Sequence, residues 1–515
     1  MVISYEHYRR YVSQEISSEE MEAIEENAES LGFDKRLMME NAGATLAYFV
    51  KETTKVEGKI GLVICGTGNN GGDGFVIARH LRNFGCNPSV ILIGKRSEIR
   101  TNESKSNWIL LENMGDIERI FLPDSSLLPL LMKKLHYADF IVDAILGTGV
   151  KGPLKEPLLS CVNAINESGK LVFAVDTPTG LNPSSGEIHG KAVRAKYTIT
   201  FHKMKKGFKG LTEYTGKVVV REIGIPFEAE FLAGPGDIRR AIKPRRLYSH
   251  KGDYGYVLIV GGSEMYSGAP VLAGLSSLRT GAGLVYVLAP PNISNTIRQM
   301  SPDIIVQEMA SDHLDIKSVL KVEKLLDKLD ALVIGPGLGL HEDTVKAIPL
   351  LVSKAKGKVP IVLDADGFKS LRSCPEVLEG VVATPHAGEF KHVFSVEVNE
   401  KWQDRVDEAV KVAEKYKFTL VLKGHDTLIT DGQKVKVNRW NTPGMAVAGT
   451  GDVLSGIIAT FLAQKHGNFL SAVAATYVHG DAGKRAVEKK GFHILASDIV
   501  EAIPETMKPF DTEEM

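Results

Sequence analysis

The 515-residue chain holds only four cysteines, Cys65, Cys86, Cys161 and Cys374, and none stands in CxxC spacing. That scarcity excludes a disulfide framework and a structural zinc site, and it suits a reducing cytosol. Charge of one sign is also missing, since 62 Lys and Arg against 63 Asp and Glu leave a net charge of −1. No general attraction to nucleic acid or to an anionic membrane follows, so neither is expected as a partner. Nowhere do roughly 18 apolar residues run uninterrupted, and MVISYEHYRRYVSQEISSEE at the start holds no apolar core of signal-peptide length. A cytoplasmic location is expected. A GxxxxGK[ST] loop is absent too, so any nucleotide chemistry needs another phosphate cradle.

What is present is a chain with 43% hydrophobic and 24% charged residues, long enough for more than one core. Ser17 and Glu20 stand at capping-box spacing and open a helix whose stripe is Met21, Ile24, Ala28 and Leu31. LMMENAGATLAYFV predicts a second helix, and KIGLVICG at 59–66 a buried strand. Short apolar runs then alternate with helical patterns through PSVILIG, ADFIVDAILG, LLSCVNAINESG, KLVFAVDTPTG, KYTITF and KVVVREIGI, which indicates βαβ units. Periodicity fades between residues 225 and 245. Strand candidates resume at YGYVLIVGG, GLVYVLAP, DALVIGPG, KVPIVLDAD, GVVATPH and FTLVLKG. Two unlike, doubly wound α/β domains are expected, 1–228 with a Rossmann-like parallel sheet and 229–515, with a disordered tail MKPFDTEEM.

GTGNNGGDG at 66–74 follows a strand and precedes the helical pattern FVIARHLRNFG. It contains GxGxxG through Gly66, Gly68 and Gly71, but the following strand VILIG ends in Lys95 and Arg96 where a dinucleotide site wants an acid. Its small residues suit backbone amides facing an anion, and Asn69, Asn70 and Asp73 add polar side chains. A plain turn joining strand to helix is the alternative. Asp143, followed by GTGVKGP at 147–153, and VDTPTG at 175–180 deliver further polar groups to the same rim.

The blocks LMMENAG, GTGNNGGDG, VDAILGTG and VDTPTGLNPSSGEIHG occur in the order found in the epimerase family that repairs hydrated nicotinamide cofactors, which residues 17–225 resemble. The resemblance implies interconversion of the 6R and 6S forms of NADHX and NADPHX. It further implies a potassium ion on Asn70, Asp143 and Thr179, with substrate contacts from Asn69, Asn70, Gly71, Gly72 and Asp73. Gly147, Thr148, Gly149, Val150, Lys151, Gly152, Pro153 and Asp176 complete that implied set. Asp176 and Asp143 are the candidates for moving a proton at C6 or stabilising a cationic ring, and the residues do not choose between these roles. The basic loop HKMKKGFK at 202–209 reads as solvated, with contact to a cofactor phosphate as the alternative.

In the second half, NTPGMAVAGTGDVLSG at 441–456 places small residues before an apolar helix, with Asp452 beside the resulting anion hole. A base next to such a hole is what phosphoryl transfer to an alcohol requires, whereas the plain alternative is a helix cap. KGHDT at 423–427, TPHAGEF at 384–390, GPGLG at 335–339 and DADG at 364–367 end other strands. Residues 240–505 resemble the nucleotide-dependent NAD(P)H-hydrate dehydratases, relatives of the ribokinase-like kinases. This implies a ribokinase-like C-terminal domain, with Ala273, Gly337, His386 and Asp452 on the 6S hydrate. Lys423, Gly424, His425, Asp426, Thr427 and Gly451 would bind ADP, or ATP in its place, together with Mg2+. Asp452 would be the base, and Asp364 and Asp366 are candidate magnesium ligands.

The rival reading is a ribokinase-like kinase of a vitamin-type alcohol with an N-terminal binding module. A non-catalytic nucleotide sensor is a third, disfavoured because Asp143, Asp176 and Asp452 are all present. A homo-oligomer is expected from the size and class of the chain.

Overall fold

The computed structural model describes residues 6–148, 152–188, 190–399 and 401–514. It divides into two compact units, Ser13–Pro226 and Phe227–Met515, the latter joined by Met1–Val12. The opening segment thus differs from an unbroken 1–228 domain. Tyr8 packs its ring 5.5 Å from Phe231 and 5.0 Å from Trp402, and Tyr11 donates its hydroxyl to Asp407 at 2.6 Å.

In the first unit seven strands run Glu118–Phe121, Asn87–Leu92, Ile60–Cys65, Phe140–Ala144, Leu171–Val175, Tyr197–Phe201, Lys217–Arg221 across one sheet. Every neighbouring pair is parallel. Ile60–Cys65 and Phe140–Ala144 are buried almost throughout, which is why they read as unbroken apolar runs. The winding reverses between these two strands, and a crevice opens there beyond their carboxyl ends. The predicted capping box is present on helix Ser18–Ser30. Leu31, expected on its stripe, is 49% exposed because the helix has already ended and Leu31 is its C-cap.

The glycine segment corrects a sequence expectation. Helix Asn69–Asn83 begins inside GTGNNGGDG rather than after it, and none of Gly66, Gly68, Gly71, Gly72 and Gly74 has a positive φ. Gly66, Gly71, Gly72 and Gly74 serve close approach, whereas a Cβ on Gly68 would meet nothing within 4 Å. A Cβ on Gly71 would lie 1.9 Å from the Gly66 carbonyl oxygen, and one on Gly74 would lie 2.5 Å from Cys65 Sγ. Gly71→Ala is therefore expected to cost about 3 kcal/mol through a forced backbone shift, read as a lowered melting temperature.

Among the described residues the main sheet of the second unit has nine strands in the order Ile305–Glu308, Leu284–Ala289, Tyr256–Val260, Ala331–Ile334, Ile361–Leu363, Val382–Ala383, Thr419–Leu422, Thr427–Thr430, Val435–Asn438. All six expected strands are present and parallel. The last two strands form an antiparallel hairpin that the sequence reading missed, although Asp431-Gly432 between TLIT and VKVN is a hairpin signal. The winding again reverses beside the first strand, between Tyr256–Val260 and Ala331–Ile334. The tail is ordered rather than disordered as far as Glu514. Phe510 is buried, and Glu513–Glu514 pairs in parallel with Arg245–Arg246. Among the described residues no helix is long and apolar enough to cross a membrane.

Candidate functional site

In the first unit the crevice is a cavity of about 390 Å³, lined by Asn69, Asn70, Asp73, Gly147, Thr148 and Asp176 among others. Gly68 caps helix Asn69–Asn83 without a side-chain hydrogen bond, so the first amides of that helix are free toward the cavity. Thr101 donates its hydroxyl to Asn69 Oδ1 at 2.6 Å and fixes that side chain. Gly71 and Gly72 stand behind the wall, packed on Gly66 and on Met39 and Ser104. Gly152 and Pro153 are not among the residues lining the cavity. Gly149, Val150 and Lys151 lie outside the described residues.

Asp176 sits just past strand Leu171–Val175 with φ at 57°, a left-handed conformation that Asp tolerates better than most residues. Its Oδ1 accepts from Thr200 Oγ1 at 2.9 Å and from the Phe201 amide at 3.1 Å. It also pairs with Lys205 Nζ at 3.0 Å, and the Lys205 side chain is 0% exposed. The loop at 202–209 is accordingly not a solvated one, because its central lysine is buried against one carboxylate oxygen of Asp176.

Beneath this floor, Asp143 is fully buried. Its carboxylate accepts from the Thr179 amide at 2.8 Å, Thr179 Oγ1 at 2.7 Å and the Ile145 amide at 3.3 Å. Burial nevertheless pushes its pKa up to about 6, and no ion pair to Asp143 exists among the described residues. Asn70 Nδ2 is buried with no hydrogen-bond partner, and a half-turn of that carboxamide would put its oxygen in the same place. Thr179 Oγ1 lies 3.3 Å from the Leu146 carbonyl oxygen. An uncompensated buried carboxylate, an orphaned carboxamide, a hydroxyl and a carbonyl are a donor set fit for a hard monovalent cation.

The sequence reading missed Glu25, Lys35 and Arg100, which also line the cavity. For Glu25 a signal existed: it falls four residues after Met21 and three before Ala28, a carboxylate on the buried stripe.

In the second unit Asp452 lies in the first turn of helix Thr450–Ala463, whose N-cap Gly449 makes no side-chain hydrogen bond. The helix therefore presents the free amides of Thr450, Gly451 and Asp452. Among the described residues nothing hydrogen-bonds to the Asp452 carboxylate, so it is not a cap. Burial first, then Asp364, pushes its pKa up to about 7, with Lys423 opposing. Lys423 Nζ is 2.9 Å from Asp364 Oδ1 and 3.9 Å from Glu389 Oε2. Burial works against its charge, but Asp364, Glu389 and Asp452 together hold the ammonium above the ordinary lysine value. A Cβ on Gly451 would sit 3.1 Å from Lys423 Nζ, so Lys423, Asp364, Gly451 and Asp452 converge.

Gly424 to Asp426 turn between the antiparallel strands Thr419–Leu422 and Thr427–Thr430, and Asn441 Nδ2 holds that turn through the Gly424 and His425 carbonyls, both at 3.0 Å. Arg405, buried behind this turn, donates to the Asp426 carbonyl. His386 caps helix Ala387–Phe394, its Nδ1 accepting from the Gly388 and Glu389 amides, while its Nε2 lies 3.6 Å from Glu389 Oε1. Gly337, with φ at 67°, belongs to the loop that Asp366 fixes by accepting the Gly339 amide at 2.9 Å. Ala273 does not reach the rim, being 0% exposed where helix Gly268–Thr280 packs against Gly456. Asp364 and Asp366 are each already paired with a lysine, Lys423 and Lys369 respectively. They do not form a free magnesium site.

The sequence-family model described as NAD(P)H-hydrate dehydratase matches residues 257–505, and that described as YjeF-related protein N-terminus matches residues 35–207. A bifunctional NAD(P)H-hydrate repair enzyme of Pyrobaculum aerophilum is 41% identical over 501 residues, covering 96% of this chain and 98% of that one. The protein of the same name from Hyperthermus butylicus is 39% identical, covering 96% and 92%. Among solved structures, an ADP/ATP-dependent NAD(P)H-hydrate dehydratase from Bacillus subtilis, co-crystallised with ATP and Mg2+, is 28% identical. It covers 53% of this chain and 96% of its own, with a TM-score of 0.46.

Proposed function

The chain belongs to the bifunctional NAD(P)H-hydrate repair enzymes, and from that membership we propose how its two units divide the chemistry. The first unit interconverts the R and S forms of NADHX and NADPHX. The second dehydrates the S form to NADH or NADPH at the expense of ADP, or of ATP, releasing AMP and phosphate when ADP is used. The observation that carries the second assignment is the Asp452 carboxylate, uncapped and unpartnered beside the free amides of its own helix.

In that unit Asp452 takes the proton of the C6 hydroxyl while the oxygen attacks the terminal phosphoryl group of the nucleotide. The amides of Thr450 and Gly451 with Lys423 hold the charge that develops on the phosphoryl oxygens. The new phosphate ester then leaves with its bonding electrons, and a proton lost from C5 completes the ring double bond. Lys423 to Thr427 hold the nucleotide, while His386 and Gly337 border the hydrate. Ala273 acts only through helix packing. Because Asp364 and Asp366 are ion-paired with Lys423 and Lys369, Mg2+ would enter bound to the phosphates of the nucleotide.

In the first unit Asn69, Asn70, Asp73, Gly147, Thr148 and Asp176 surround the hydrate. Asn70, Asp143 and Thr179 would hold K+, which when bound supplies a fixed positive charge beside the buried Asp143. KCl is expected to raise the melting temperature above that in choline chloride of equal ionic strength, and Asp143→Asn to abolish the difference. The free, mostly buried thiols fit a cytoplasmic setting, and a homo-oligomer remains the proposed assembly.

The test incubates mixed R and S NADHX with the protein, Mg2+, K+ and either ADP or ATP, following the near-ultraviolet absorbance of NADH. Recovery beyond the S fraction, faster than spontaneous epimerisation, is the expected result. A stable phosphorylated product with no NADH would instead establish the kinase.

A further inference from the structure

The carboxyl groups on the first cavity are not equivalent. Asp176 is committed through Oδ1 to Thr200, Phe201 and Lys205. Glu25 and Asp73 line the same cavity from two different helices, Ser18–Ser30 and Asn69–Asn83. Among the described residues neither carboxyl has a hydrogen-bond partner. A carboxyl left without donors inside a cavity is stabilised as the neutral acid, and the neutral acid is the form that can give a proton away.

We propose that Glu25 is the catalytic acid of the epimerisation, delivering its proton to the C6 hydroxyl of the hydrate; this rests on the epimerase reading above. The lone pair of the ring nitrogen moves into the N1–C6 bond as the C6–O bond breaks, and the hydroxyl departs as water with the Glu25 proton. The ring is then an iminium cation, and Asp176 supplies the fixed negative charge on the cavity wall. Water adds to the opposite face, C6–O forms again, and the surplus proton is released to solvent, from which Glu25 is reprotonated. The reverse direction runs through the same steps, so no oxidant, reductant or further reactant is needed.

The groups facing Glu25 support this. Asp176 presents like charge, as does Glu22 on the same helix, and Asp73 is itself held toward the neutral acid by burial, whereas Lys205 is buried against Asp176 and Lys35 is paired with Glu29 at 2.8 Å. Burial first, then Asp176, pushes the Glu25 carboxyl up to about 7. That is where an acid working at neutral pH needs to be. The capped helix beneath it fixes the side chain's origin.

The experiment measures interconversion of separated R and S NADHX by chromatography without nucleotide, across pH, with the spontaneous rate subtracted. The wild type is expected to lose rate as pH rises through about 7. Glu25→Gln is expected to lower kcat on the order of 10²-fold or more, with KM little changed and the alkaline limb gone, and Glu25→Asp to recover part of the rate. An unchanged first-unit melting transition, still raised by KCl over choline chloride, reports that the unit carrying Glu25 is folded. A Glu25→Gln enzyme that keeps its rate within about fivefold and retains the limb overturns the proposal. A wild type that interconverts nothing overturns the epimerase reading instead, and the two failures are told apart in one data set.

Discussion

Asp452→Asn is expected to abolish dehydration, by on the order of 10³-fold or more, while epimerisation continues unchanged. The substitution keeps the size of the side chain and removes its ability to take a proton, the contribution that phosphoryl transfer to a hydroxyl needs from the protein. The wild-type pH profile carries the same argument. A base acts in its ionised form, and burial with Asp364 nearby lifts Asp452 to about 7. Dehydration at low substrate should therefore climb as pH rises through about 7 and level above it. Lys423 opposes that lift, so Lys423→Met should move the rising limb to still higher pH. Stability runs the other way: a carboxyl raised in the folded state contributes stability below its unfolded value of 3.8, which is lost as pH rises toward about 7. Above that pH the Asn variant should melt no lower than the wild type, a catalytic loss without a folding loss.

The two sheets were legible because parallel strands buried on both faces leave runs such as VLIV, LVI and FIVDA with nothing to confuse them. Strand ends carrying Asp143, Asp176 and Lys423 were legible for the same reason, since position after such a run defines the rim. The purpose of the glycines was not. Pattern alone cannot tell a glycine chosen for positive φ from one chosen for close approach, and Gly71 and Gly74 are of the second kind. Nor does local sequence say that one lysine among the four of HKMKKGFKG is buried, because Asp176 reaches Lys205 only through the tertiary fold. The tail was misread because its composition outweighed Phe510, which supplies the apolar anchor. Glu25 escaped because an amphipathic reading keeps the apolar members of a stripe and discards the carboxylate between them.

Asp176→Asn is expected to remove epimerisation and leave dehydration of the S form intact. It should also weaken the first unit, unlike the change at Asp452. Asn suits the left-handed φ of 57° at this position, so the backbone is not the cause. What is lost is the partner of Lys205, whose side chain is 0% exposed. A buried ammonium left without its carboxylate costs about 3–5 kcal/mol, which for a unit of this size lowers the melting temperature by roughly 10 °C. Lys205→Met in the same chain removes the stranded charge and should return most of that stability. It cannot return the rate, because the fixed negative charge on the cavity wall is still missing. Calorimetry of the single and double variants beside both activities separates the two roles of Asp176. If the double variant epimerised at the wild-type rate, Asp176 would be only the counter-ion of Lys205. If the folded single variant lost both activities, the assignment of one reaction to each unit would fail.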